Sequence, residues 1–180
     1  MIGDRDPHGV QLLSKWEGAH RLPQLAGLCE NNHGHSWRVE VSISAPVLTA
    51  DGTIVEFGDF KAGLDGWISA QLHHAVMLNW DDADAEYFAS KGRRVYRFGG
   101  GDRAAGEEKL AANLRWPTVE AIARLLAGVA EDVLRSVPHA MAARVSLIRV
   151  VETDRNTAWY APPRPPQPRQ LSEQPARSGT

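Results

Sequence analysis

Three histidines, His20, His33 and His35, are spaced as one isolated imidazole and one His-Gly-His triplet. Side chains at i and i+2 of a strand point to the same face, so His33 and His35 offer two imidazoles from a single strand. A third from another strand completes a His₃ set. Neutral imidazole suits zinc, and three protein ligands with an open fourth position mark a catalytic rather than a structural site. Cys29, the only cysteine, lies four residues before His33. A thiolate beside a bound cation is a reactive group.

The strand that follows supports an inward placement. His33, His35, Trp37, Val39, Val41 and Ile43 share one face, whereas Ser36, Arg38, Glu40, Ser42 and Ser44 share the other. Two imidazoles at the head of an apolar face need partners for their ring nitrogens, and a metal ion is an economical one.

The surrounding chain is of an ordinary class. At 180 residues and 43% hydrophobic content it can bury one core, which makes residues 1–161 a single expected domain. A net charge of −2 gives no global bias toward nucleic acid or a membrane surface. One cysteine allows no intrachain disulfide and fits a reducing compartment. With no signal-like apolar core near Asp4, Arg5 and Pro7, the expectation is a cytoplasmic protein.

The elements that must position the histidines form an α+β pattern. Strands are expected over residues 11–16, 35–45, 144–153 and 157–161, with a short one at 95–98. Phe60, Leu64, Trp67, Ile68 and Leu72 recur at helical spacing after Gly58-Asp59 and predict a helix over 60–72. A short helix follows Asp82 and stops at Gly92. Thr118 caps a second long helix to residue 136, with Glu120 in its first turn. The order β-β-α-α-β-β predicts a four-stranded antiparallel sheet with two helices on one face. Residues 99–115, rich in charge and glycine, are expected to be a mobile surface loop that leads into Thr118. Six prolines in residues 162–180 predict a disordered tail.

Several motifs in order resemble the 6-pyruvoyl-tetrahydropterin and 6-carboxytetrahydropterin synthase family. They are Glu17-Gly18-Ala19-His20-Arg21-Leu22-Pro23, Cys29-Glu30-Asn31-Asn32-His33-Gly34-His35-Ser36 and Val55-Glu56-Phe57-Gly58-Asp59-Phe60-Lys61. Leu72-His73-His74, Leu78-Asn79, Pro117-Thr118-Val119-Glu120 and Val151-Glu152-Thr153 extend the match. The three residues between Cys29 and the His-Gly-His unit resemble the 6-carboxy branch.

The resemblance implies a tunnelling fold that assembles as homotrimers or hexamers with active sites between subunits. It implies 7,8-dihydroneopterin triphosphate as substrate, and 6-carboxy-5,6,7,8-tetrahydropterin, acetaldehyde and triphosphate as products, on the route to 7-deazapurines such as queuosine. By resemblance, His20, His33 and His35 hold zinc, Cys29 is the general base, His74 its relay partner, and Glu152 anchors the pterin ring. A carboxylate can accept parallel hydrogen bonds from the pterin 2-amino group and N3–H. Glu152 shares strand parity with Ile148 and Val150, which directs it into a cavity. Thr118 is a secondary pterin contact, since capping already accounts for it.

Two positions depart from the family pattern. His73 stands where an aspartate usually orients the catalytic histidine, and loss of such a carboxylate lowers rates through tautomer and charge. Asp81 or Asp82 is a candidate substitute. On the helical projection His74 falls beside Leu64 and Trp67 while His73 points away, into solvent. Glu56 replaces a second aspartate. Two alternatives share these residues: another reaction on the pterin scaffold, either pyruvoyl-type elimination or side-chain cleavage, and a non-enzymatic pterin- or metal-binding homologue. Cys29 speaks against side-chain cleavage, and the adjacent Glu30 keeps it open.

Overall fold

The computed structural model describes residues 6–164. Its frame is a pair of long strands, β1 (His8–His20) and β2 (His33–Ala45), antiparallel in unbroken register from His8 opposite Ala45 to His20 opposite His33. Alternation sets their faces. Leu12 and Trp16 from β1, and Trp37, Val39, Val41 and Ile43 from β2, point inward and are buried. Lys15, Glu17, Ser36 and Arg38 point outward. Trp16 and Trp37 are directly opposed and stack with ring centroids 5.7 Å apart.

Two helices cover the inner face. In α1 (Phe57–Gln71), Phe60, Leu64 and Ile68 are buried against it. The helix starts earlier than Gly58-Asp59 implied because Glu56 is its N-cap, accepting from the Asp59 N–H at 2.7 Å. It also ends at Gln71, which leaves His73 and His74 outside it. A short α2 (Ala83–Ser90) starts at the Asp82 cap. The longest helix, α3 (Val119–Ser136), starts at Thr118, whose hydroxyl accepts from the Ala121 N–H, and buries Ile122, Leu126 and Val129. Burial of each such side chain contributes about 1.5–3 kcal/mol.

The sheet is mixed and six-stranded, not four-stranded and antiparallel. Its order is β4-β3-β1-β2-β5-β6, with β5 (Arg144–Val151) and β6 (Thr157–Tyr160) antiparallel on the β2 side. On the other side β3 (Val76–Asn79) and β4 (Val95–Phe98) add in parallel. Met77, Leu78 and Asn79 are all buried, so this strand has no polar face and carries no alternation to announce it.

Residues 99–115 are packed rather than a free surface loop. They form two 3₁₀ turns, Gly101–Arg103 and Gly106–Ala111, and bury Ala104, Ala111 and Leu114. The Tyr96 hydroxyl donates to the Glu107 carbonyl at 2.8 Å, and Trp67 Nε1 donates to the Glu107 carboxylate at 2.7 Å. Gly100 has φ 90°, and a Cβ there would lie 2.6 Å from the Trp80 ring. Apolar residues here are too sparse to show a period. The tail from residue 165, expected to be disordered, lies outside the described residues. Among the described residues no helix is long and apolar enough to cross a membrane.

Candidate metal and pterin site

The imidazole cluster follows from the β1–β2 register. His20 faces His33 directly and His35 diagonally, since Gly18 is the partner of His35. The ring centroids are 4.6 Å (His20–His33), 5.2 Å (His20–His35) and 5.0 Å (His33–His35) apart. One nitrogen from each ring lies within 4.8 Å of the others. Trp37 closes the inner wall, 5.0 Å from His20 and 5.1 Å from His35.

Backbone carbonyls orient two of the rings. His20 Nδ1 lies 2.8 Å from the Pro117 carbonyl, and His33 Nδ1 lies 2.8 Å from the Asn31 carbonyl. A carbonyl only accepts, so both Nδ1 atoms carry the proton, and in the neutral ring Nε2 is the nitrogen left to bind a metal. This is the outer support that metal-ligating histidines commonly have. Neither Pro117 nor Asn31 shows this role in the sequence, because any residue type can present a carbonyl.

The residues fit a divalent metal. His20 is fully buried, and the Nε2 atoms of His20 and His35 are buried with no hydrogen-bond partner among the described residues. Burial pushes the pKa of both rings below the ordinary histidine range. Both are therefore neutral at pH 7, the form that binds a metal. Buried ring nitrogens without a partner are costly, and a cation among them would remove that cost.

Glu152, just past the end of β5, reaches the same point. Its Oε1 lies 3.5 Å from His20 Nε2 and 3.8 Å from His35 Nε2. Thr118 is adjacent through Pro117, whose carbonyl holds His20, but its hydroxyl is engaged as the α3 cap.

The proton-transfer candidates lie on exposed turns. Cys29 is exposed on the 3₁₀ turn Leu28–Glu30, where its carbonyl accepts from the Leu22 N–H at 2.7 Å. His74 is exposed in a left-handed conformation, φ 55°. Beyond the end of α1 the helical projection does not apply, and His74 does not join the Leu64 stripe. It borders a cleft with Glu17, Gly34, His35 and Ser36, so one of the three imidazole residues lines the same cleft. His73 is not simply solvated: its Nδ1 accepts from the Glu17 N–H at 3.2 Å, and its ring lies 4.2 Å from that of His74. The two substitute carboxylates are committed elsewhere. Asp81 pairs with Arg103 at 2.9 Å, and Asp82 pairs with Arg21 at 2.8 Å while capping α2.

Known proteins resemble this chain in sequence and in fold. The chain aligns at 26% identity over 84 residues with a 6-carboxy-5,6,7,8-tetrahydropterin synthase of Rickettsia bellii, covering 46% of this chain and 61% of that protein. A Synechocystis protein of the same name is 35% identical over 63 residues, 33% of this chain and 49% of the relative. The 6-pyruvoyl tetrahydrobiopterin synthase of Drosophila melanogaster is 30% identical over 87 residues, 42% and 49% of the two chains. The matched region thus spans about half to three-fifths of these relatives. The solved 6-pyruvoyl tetrahydropterin synthase of Caenorhabditis elegans superposes with a TM-score of 0.56 at 18% identity, over 89% of this chain and 99% of that one. That of Plasmodium falciparum gives 0.57 at 14% identity, over 85% and 96%. These two establish a shared fold. The family model of 6-pyruvoyl tetrahydropterin synthase matches residues 10–163, from β1 to beyond β6 and including all three imidazoles, and the chain belongs to that family.

Proposed function

We propose that the protein is a zinc-dependent 6-carboxy-5,6,7,8-tetrahydropterin synthase. It converts 7,8-dihydroneopterin triphosphate to 6-carboxytetrahydropterin with release of acetaldehyde and triphosphate, on the route to 7-deazapurines such as queuosine. The observation that carries this is the convergence of three imidazoles, two of them oriented by backbone carbonyls, and the Glu152 carboxylate at one end of the sheet. The names of the Rickettsia and Synechocystis relatives favour the 6-carboxy reaction.

His20, His33 and His35 would hold zinc, which lowers the pKa of side-chain hydroxyls and stabilises negative charge developing next to them. Glu152 accepts from the pterin 2-amino group and N3–H and fixes the ring in its plane. Trp37 packs beside the imidazoles and excludes water from their inner side. Cys29 takes a proton from the substrate side chain as thiolate, and His74 passes it on. Thr118 is a secondary contact at the pterin edge.

Cys29 and His74 are both exposed on turns, while His20 is fully buried. This favours a homo-oligomer, a trimer or hexamer, in which one subunit supplies His74 to a site whose metal ligands belong to its neighbour. The Drosophila relative supports a second reading, pyruvoyl-type elimination on the same residues. Product analysis with 7,8-dihydroneopterin triphosphate separates the two. Acetaldehyde and 6-carboxytetrahydropterin are expected; a pyruvoyl product would transfer the protein to the second reading. A protein that holds pterin and releases nothing would be a non-enzymatic binder.

A further inference from the structure

At the end of the sheet remote from the imidazoles, the first and last described residues meet. The Asp6 carboxylate, 10% exposed, lies just before β1. One of its oxygens accepts from the Ser44 hydroxyl at 2.7 Å and lies 3.2 Å from Arg144 Nε. The other accepts from Arg164 Nη2 at 2.6 Å. An arginine beyond β6 is thereby fastened beside the start of β1, and a charge-assisted bond to a largely buried carboxylate holds better than a surface ion pair.

Immediately after Asp6, Pro7 and His8 enter the wall of a groove of about 480 Å³. Its other walls include the buried Ile54 and Val55 and the exposed side chains of Leu48 and Phe57. Glu56 also lines it, and Asp51 and Asp59 adjoin lining residues. None of these three carboxylates forms an ion pair among the described residues. The groove is apolar with an acidic margin, a surface that water solvates poorly and a cationic, partly apolar segment would cover.

The sequence beyond Arg164 suits it. Residues 165–171 read Pro-Pro-Gln-Pro-Arg-Gln-Leu, with one cation and one large aliphatic side chain. Such a composition cannot form a core of its own, yet it can lie in a groove made by the rest of the chain. Prolines restrict it beforehand to an extended form, which lowers the entropic cost of docking. At about 3.1 Å per residue, seven residues span about 22 Å, enough to pass from Arg164 along the groove that opens beside Asp6.

We propose that residues 165–171 of the chain occupy this groove, with Leu171 against Leu48, Ile54 and Phe57 and with Arg169 at the acidic margin, and that the Asp6–Arg164 ion pair directs the segment there. The inference is independent of the metal and pterin assignments.

Photocrosslinking in the full chain tests it. Benzoylphenylalanine in place of Leu171 is expected to attach, on irradiation, to the peptide containing residues 48–57 and to give a product with the mass of one chain. Arg164→Gln leaves Asp6 its contacts with Ser44 and Arg144 and should lower the yield several-fold. Leu48→Asp should do the same, because it puts a charge in the apolar wall. The neutral dye Nile red reads the groove separately. Its emission is expected to be dim with the wild type, several-fold brighter with Arg169→Glu combined with Leu171→Asp, and dim again when Leu48→Asp is added.

Cross-links from position 171 that miss residues 48–57 overturn the proposal, as does an unchanged yield in either single variant or unchanged Nile red emission in the Arg169→Glu, Leu171→Asp chain. A product of twice the chain mass gives the groove to a neighbouring copy. Attachment from benzoylphenylalanine at Ile2 but not at Leu171 gives it to residues 1–5. Either result overturns the assignment to residues 165–171 of the same chain.

Discussion

The imidazole cluster and the pair Cys29 and His74 are built in opposite ways. The histidines stand at the ends of two thirteen-residue strands, paired throughout, with backbone carbonyls holding two of the rings and Trp37 behind them. Cys29 and His74 sit on turns, one on a three-residue 3₁₀ segment and the other in a left-handed linker. A site on paired strands is positioned by one chain alone. A group on an exposed turn has no such frame.

The sharpest break of that comparison is removal of the rigid half. His33→Ala combined with His35→Ala is expected to take metal content from about one per chain to none, since one imidazole cannot hold the ion. Metal analysis of the purified variant checks this; full occupancy would dissolve the assignment.

The next effect concerns the turn-borne half. Cys29→Ala and His74→Ala should each lower turnover by about 10²–10⁴-fold while metal content and thermal stability stay at wild-type levels. Mixing the two inactive variants during refolding sharpens the point. Recovered product formation is expected if the residues meet across subunits, and none if both act within one chain.

A smaller effect separates the halves by pH. Burial lowers the pKa of His20 and His35, so in the metal-free protein the unfolded chain takes up protons first as pH falls. Stability from these neutral rings is full above pH 6.5, their unfolded value, and is lost as pH drops through the lowered folded values. Melting temperatures of chelator-treated protein should fall from pH 7.5 to 5.5. A flat profile would mean that the rings are not held neutral.

The smallest expected effect is at His73. Asp in its place can accept the same Glu17 N–H and brings a carboxylate beside His74. His73→Asp is expected to leave turnover unchanged or raise it a few-fold, with the pH–rate profile shifted. Loss of activity would give His73 a role of its own.

What could be read in advance followed the same division. Two-residue alternation from His33 to Ile43 is visible because one face is apolar and the other polar, and it puts both imidazoles on the apolar face from the sequence alone. The Val119–Ser136 helix is similarly plain from Thr118 and its apolar stripe. β3 is not visible because a four-residue strand with Met77, Leu78 and Asn79 all buried has no period, and its parallel pairing to β1 depends on contacts distant in sequence. His74 was misplaced for a local reason: a helical projection assumes helix, and the chain leaves it at Gln71. The packing of residues 99–115 rests on single contacts, such as Glu107 with Trp67 and Tyr96, that leave no pattern along the chain.

Trp37 carries a practical consequence. Its indole lies 1% exposed, stacked on Trp16 and edge-on to His20 and His35. A paramagnetic ion held by those rings would sit next to an intrinsic fluorophore shielded from solvent quenchers. Occupancy of the centre should therefore be written in the protein's own ultraviolet emission, dimmed by cobalt or copper and restored by chelation. Trp37→Phe should silence most of that signal while the ion stays bound, giving a label-free gauge of loading in real time.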